Sequence, residues 1–113
     1  MQIGHAQDIP KEAVTAEGSR GARIQWLLGI KDNVPHFYMR LVTVEPGGVI
    51  PLHNHEVIHE MYILRGHGVV LHPDGEIPIS EGDFVYMPGK EIHGTKNTGA
   101  EPLQFICCIN KPA

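Results

Sequence analysis

The chain has 113 residues, 42% hydrophobic and 19% charged, with 13 glycines and 9 prolines, which makes one domain with room for a real core and excludes a disordered chain. A formal net charge of -4, with the nine Lys and Arg scattered along the chain, argues against nucleic acid or an anionic membrane as partner, because phosphate binding needs a basic face. No apolar run approaches the roughly 20 residues of a bilayer span, and MQIGHAQDIPKEAV lacks the basic start and apolar stretch of a signal peptide, so the expected location is cytoplasmic.

Residues 1–20 mix Gly, Pro, Glu and Lys without periodicity and read as an N-terminal arm, loosely ordered or packed on a neighbour; residues 21–113 form the main domain. ARIQWLLG from Ala22 and HFYMRLVTVEP from His36 read as two strands, the second closed by Pro46-Gly47-Gly48. In that second strand Tyr38, Arg40 and Val42 share one face and Phe37, Met39 and Leu41 the other. An inward Tyr38 or Arg40 would suit a substrate carboxylate, but an arginine in such a strand is ordinarily a surface charge, so neither enters the expected site. VIPLHNH follows, with Val49, Pro51, His53 and His55 on one face if the strand is regular; Pro51 marks an edge or an irregular spot.

Beyond it come EMYILRGHGVVLH, the turn at Pro73-Asp74-Gly75, EIPIS, FVYMPG, EIHGTKN, a turn near Thr98-Gly99-Ala100, and PLQFICCIN. Short apolar runs punctuated by Gly, Pro and Asp, with no sustained helical period, predict an all-β barrel or sandwich. Leu103, Phe105, Cys107 and Ile109 share one strand face, expected to look inward, which sends the adjacent Cys108 the other way. Adjacent cysteines in one strand do not form an ordinary disulfide, so both read as thiols.

The chemistry concentrates in HNHEVIHE. His53 and His55 alternate onto one strand face, a turn can return His59 or Glu60 beside them, and His93 follows a later strand-like run. Imidazoles from separate segments meeting inside one barrel are what a metal site in an all-β fold requires. Parity leaves the third donor open: His59 facing in takes Met61 and Ile63 with it, Glu60 facing in takes Tyr62 and Leu64, and both faces are apolar. His5, His36, His67 and His72 have no matching partner spacing and read as ordinary polar residues.

Gly47, His53-Asn54-His55, Glu60 and Gly66 resemble the first motif of the cupin superfamily, and Gly82, Pro88, His93 and Asn97 resemble its second. Two spacings depart from the common form: the glycine after Pro88 comes one residue early, at Gly89, and the Glu60-to-Gly66 interval is one shorter. The resemblance runs from about Arg20 to Ile109 and is closest to small single-domain cupins with a four-histidine, manganese-type centre. It implies a double-stranded β-helix, or jelly-roll barrel, with His53, His55, His59 and His93 as metal ligands and Glu60 as an acceptor that orients a ring N–H. The commoner cupin pattern would instead use Glu60 as third ligand.

The resemblance favours Mn, while the donors also admit Fe, Ni, Zn, Co or Cu. Two expectations follow for function: a metal-dependent oxidoreductase of dioxygenase or peroxide-using type acting on a small organic molecule, or a non-enzymatic small-molecule or metal-binding and sensing cupin. Cys107 is a candidate catalytic thiol, as proton donor or oxidation-sensitive neighbour, against the ordinary alternative of a small buried hydrophobe. Exposed edge strands predict a homodimer, with the arm crossing to the partner as one way to cover them.

Overall fold

The computed structural model describes residues 1–112; Ala113, the last residue of the expected barrel domain, lies outside the described residues. The described residues form nine strands: β1 (Glu12–Ala13), β2 (Arg20–Leu28), β3 (Phe37–His53), β4 (His59–Arg65), β5 (His67–His72), β6 (Gly75–Ser80), β7 (Phe84–Met87), β8 (His93–Asn97) and β9 (Leu103–Asn110), with one 3-10 turn at Ala6–Asp8 before β1 and another at Ile30–Asp32 between β2 and β3. All pairings are antiparallel, in the order β6-β5-β8-β3-β9-β4-β7, with β2 on β3 and β1 on β2. The sheet curls on itself into a jelly-roll barrel, the expected all-β class. Among the described residues no helix is long and apolar enough to cross a membrane.

The strand faces follow from alternation. In β9 the burial pattern is strictly period two, with Leu103, Phe105, Cys107 and Ile109 inward as expected. In β4 His59, Met61 and Ile63 are buried while Glu60, Tyr62 and Leu64 are not. Val44, Ile63 and Leu103 are fully buried at the centre of the core.

Pro46-Gly47-Gly48 does not end a strand. It bends one: β3 runs unbroken from Phe37 to His53, pairing with β9 through its first half and with β8 through its second. Gly48 makes the corner possible, since a Cβ there would meet the carbonyl oxygens of Glu45 and Gly21, each 2.8 Å away. A second irregularity sits at Pro51, where the β3–β8 register slips between Ile50↔Thr95 and His53↔His93. Ile50 faces in before the slip and His53 lines the interior after it. The regular face expected for Val49, Pro51, His53 and His55 is therefore broken, and His55 lies beyond the strand in the loop that follows.

The arm is ordered on its own barrel. β1 pairs with β2, Val14 and Ala16 pack against the core, and the buried amide of Gln25 donates from Nε2 to the carbonyls of Ala6 (2.7 Å) and Ile9 (3.0 Å). Asn97, from the second motif, works as a brace: its Nδ2 donates to the carbonyls of Val44 (2.8 Å) and Glu101 (2.7 Å), and its Oδ1 accepts from the Gly99 N–H at 2.8 Å. Two backbone carbonyls and one N–H are thereby satisfied inside the barrel.

β4 and β5 form one sequence run interrupted at Gly66, whose φ is +81° and whose missing Cβ would strike the Pro102 carbonyl oxygen. Gly66→Ala is expected to lower stability by about 2 kcal/mol or more, combining left-handed strain with a backbone clash. Gly82→Ala, at φ +92° with nothing near the added methyl, should cost only the strain, about 1–2 kcal/mol. Thermal or denaturant unfolding of the two variants side by side checks the difference.

Candidate metal centre

Four rings gather at one end of the barrel interior. His53 and His93 are directly opposed across β3 and β8, His59 opens β4, and His55 reaches in from the loop between β3 and β4. Ring centres lie 4.6 Å apart for His53–His55, 4.7 Å for His53–His93, 5.0 Å for His59–His93, 5.3 Å for His55–His59 and 6.1 Å for His55–His93. An ion held ~2.1 Å from one nitrogen of each of two rings at right angles brings their centres to ~4.5 Å; the rings stand near that spacing or beyond it. They are gathered without being closed: among the described residues no three His, Cys, Asp or Glu side chains already form a finished donor set.

The hydrogen bonds set the chemistry of the nitrogens. Nδ1 of His53 lies 2.7 Å from the Pro51 carbonyl oxygen and Nδ1 of His93 lies 2.8 Å from that of Glu91. A carbonyl only accepts, so each Nδ1 carries the proton and each Nε2 keeps a lone pair. Nε2 of His59 is buried and has no hydrogen-bond partner, an orphaned polar atom of the kind that a bound group satisfies. Three of the four rings thus carry features that fit a divalent transition ion.

Charge favours the same state. Burial holds His59 down to about 3, reinforced by the Arg40 guanidinium and by His93, His55 and His53. His55 is lowered to about 4, first by desolvation and then by His53, His93 and Arg40. Burial also lowers His93, opposed by its bond to the Glu91 carbonyl. These rings are neutral at neutral pH, the form in which imidazole ligates.

Glu60 is not part of the cluster. It is exposed on the outer face of β4, one alternation away from His59, so it neither replaces His59 nor orients a ring; backbone carbonyls hold His53 and His93 instead. His5, His36, His67 and His72 all lie outside the group. Cys107 does belong beside it: its Sγ is 3.4 Å from Nδ1 of His59, and burial raises its pKa, keeping it a thiol.

Arg40, read from sequence as a surface charge, points inward. Its guanidinium donates from Nη2 to Cys107 Sγ at 2.9 Å and stacks over Trp26, 5.5 Å from the ring centre. Its Nε is buried without a partner, and among the described residues no carboxylate lies within ion-pair distance of it. Arg40, Trp26 and the four histidines line one cavity of about 510 Å³, whose remaining wall is largely apolar and includes Val42, Ile50, Met61 and Phe105. Residues 12–16 of the arm close one side of it. The alternation of Tyr38, Arg40 and Val42 was the available signal for Arg40.

The family described as "Cupin domain" matches residues 40–109, more than half of the chain. The chain belongs to the cupin family. It is 41% identical over 114 residues to the oxalate-binding protein of Thermotoga maritima, covering 96% of this chain and 93% of that one. Among solved structures, the polyketide cyclase RemF from Streptomyces resistomycificus superposes with a TM-score of 0.91 at 26% identity, over 97% of this cupin and 79% of that chain. A predicted oxalate decarboxylase from Thermotoga maritima gives 0.85 at 25% identity, over 98% and 100%.

Because His55 and His59 fall from the ordinary 6.5 to about 4 and about 3 in the folded metal-free chain, the unfolded chain binds protons more readily. Their contribution to stability is complete above pH 6.5 and is lost as pH falls toward the folded values. The melting temperature of metal-free protein is expected to decline from pH 7 to pH 4, and less steeply in His59→Gln; unfolding scans across that range check it.

Proposed function

We propose that this cupin holds one divalent transition ion on His53, His55, His59 and His93, with Mn favoured and Fe, Ni, Zn, Co or Cu suited to the same donors, and that it binds a small carboxylate-bearing organic molecule beside it. The observation that carries the reading is the unpaired Arg40 guanidinium in the same apolar cavity as the four rings. A half-buried cation without a counter-charge, its Nε out of reach of water, carries a desolvation cost, and an anionic ligand supplies the missing partner through charge-assisted hydrogen bonds. The cavity, about 510 Å³, suits a small molecule.

The ion, when bound, supplies Lewis acidity and exchangeable positions for a ligand or an oxidant. The remaining roles fall to the chain. Arg40 fixes one end of the ligand. The Pro51 and Glu91 carbonyls hold His53 and His93 in their ligating tautomers, and Cys107, already engaged by Arg40, keeps His59 oriented through Nδ1. Trp26, Val42, Met61 and Phe105 keep the ligand in an apolar surround. On this arrangement the proposed activity is that of a metal-dependent oxidoreductase of dioxygenase or peroxide-using type.

A second reading, a binding protein without turnover, is favoured by the relative named an oxalate-binding protein and by the absence, among the described residues, of a free acid–base pair beside the rings: Glu60 is outside, and Cys107 is held as a thiol.

Elemental analysis of untagged protein is expected to find one divalent ion per chain, and His59→Ala to lower that content about tenfold or more. With oxalate as probe, Arg40→Gln is expected to weaken binding by about 10- to 100-fold while metal content is unchanged, as for loss of a charge-assisted pair. Equal oxalate affinity in the two proteins would overturn the role of Arg40. Consumption of the bound acid with dioxygen or peroxide selects the oxidoreductase, and tight binding without product selects the binding protein.

A further inference from the structure

At Pro88-Gly89-Lys90 the glycine comes one residue early for the cupin pattern, and the structure gives that departure a use. Residues 88–91 form a turn between β7 and β8, closed by the Glu91 N–H on the Pro88 carbonyl at 3.4 Å. Its left-handed position is Lys90, at φ +67°, where a turn ordinarily takes glycine or asparagine. The glycine stands instead at 89, where space requires it: a Cβ there would strike the Glu56 carbonyl oxygen. Strain at Lys90 thus accompanies a close approach of this turn to residues 54–58, the loop that carries His55. Across the contact the Lys90 N–H donates to the His55 carbonyl. The Lys90 ammonium also lies 3.7 Å from the Glu56 carboxylate, an exposed pair of the kind that adds little. The far end of the loop is tied down by the Ile58 N–H, which donates to Asn110 Oδ1 at 2.8 Å.

We propose that the turn at residues 88–91 is a positioning element that fixes His55 relative to His93, a role that rests on the metal reading of the four rings. Three of those rings are held through Nδ1: His53 by the Pro51 carbonyl, His93 by the Glu91 carbonyl and His59 by Cys107 Sγ. Among the described residues the ring of His55 has no such partner, and His55 belongs to no strand, so its place is set through its backbone. The group that sets it is the Lys90 N–H, and the next residue of the same turn, Glu91, holds the ring of His93. One four-residue turn therefore touches both sides of the gap between His55 and His93, whose ring centres stand 6.1 Å apart. It sets that span, and with it whether His55 reaches an ion held by the other three rings. Partners that orient a ligand in this way govern metal affinity nearly as strongly as the ligands do.

Titration of the full chain with Mn(II), and with Cu(II) as a spectroscopic probe, tests this. Gly89→Ala drives a methyl group against the Glu56 carbonyl and is expected to weaken Mn(II) binding about 10- to 100-fold. The same variant should show one nitrogen fewer in the Cu(II) electron paramagnetic resonance spectrum, and faster amide exchange at Lys90 in the metal-free chain. Gly82→Ala, strained at φ +92° with open space around the added methyl, should lower the melting temperature and leave both metal readouts as in wild type, which separates positioning from lost stability. Lys90→Gly keeps the N–H and relieves the left-handed strain; it should hold Mn(II) within about threefold of wild type, since the contact it loses is the exposed pair with Glu56. Wild-type Mn(II) affinity and an unchanged Cu(II) spectrum in Gly89→Ala, or an equal loss of affinity in Gly82→Ala, would overturn the inference. A wild-type chain that takes up neither ion would overturn the metal reading itself.

Discussion

The pairing of His53 with His93 across β3 and β8 is the constraint from which the interior site follows. It brings together rings that the chain keeps far apart, and it depends on the slipped register at Pro51. With a regular strand, the inward phase set by Ile50 would turn His53 toward solvent. The irregularity resets the phase by one residue, and the carbonyl of Pro51, within it, is the group that accepts from His53 Nδ1. At the other end of β8, Asn97 ties the same strand to Val44 and Glu101. Two short strands' worth of backbone thus hold a pair of imidazoles to which His59 and His55 are added from β4 and its approach.

The electrostatics of the interior are one-sided. Desolvation and mutual proximity keep His55, His59 and His93 neutral, while Arg40 brings a standing charge to the cavity wall, spread over Trp26 on one side and bonded to sulfur on the other. Neither contact neutralises it. Under the proposed function, such an interior discriminates by charge before shape, since an anionic ligand gains both from Arg40 and from a cation held by the rings.

The barrel, its strand sequence and the inward histidines were legible in the sequence, because Gly, Pro and Asp punctuated apolar runs and the two-part histidine spacing is specific. Other features were not. Pro46-Gly47-Gly48 reads as a strand end, yet in a barrel a strand can bend and change partners without stopping, and only the tertiary neighbours of Gly48 distinguish the cases. Pro51 was visible as an irregular spot, but its effect on phase was not. Arg40 and the choice between His59 and Glu60 were hidden for one shared reason: β3 and β4 are apolar on both faces, so period-two alternation lost its contrast. The outer apolar residues, Phe37, Met39, Tyr62 and Leu64, masked which face was the core. The ordered arm escaped detection because a buried glutamine, not an apolar period, fastens it.

The position of β9 sets a limit on how this protein can be made. Residues 103–110 lie between β3 and β4 at the middle of the sheet, so until the ribosome has released them, two long strands wait with unpaired edges and an uncovered greasy interior. Nearly all the pairing that closes the barrel is distant in sequence, a topology that folds slowly. A nascent chain stalled before Leu103 is therefore a natural client for chaperones and a hazard for misassembly with its neighbours.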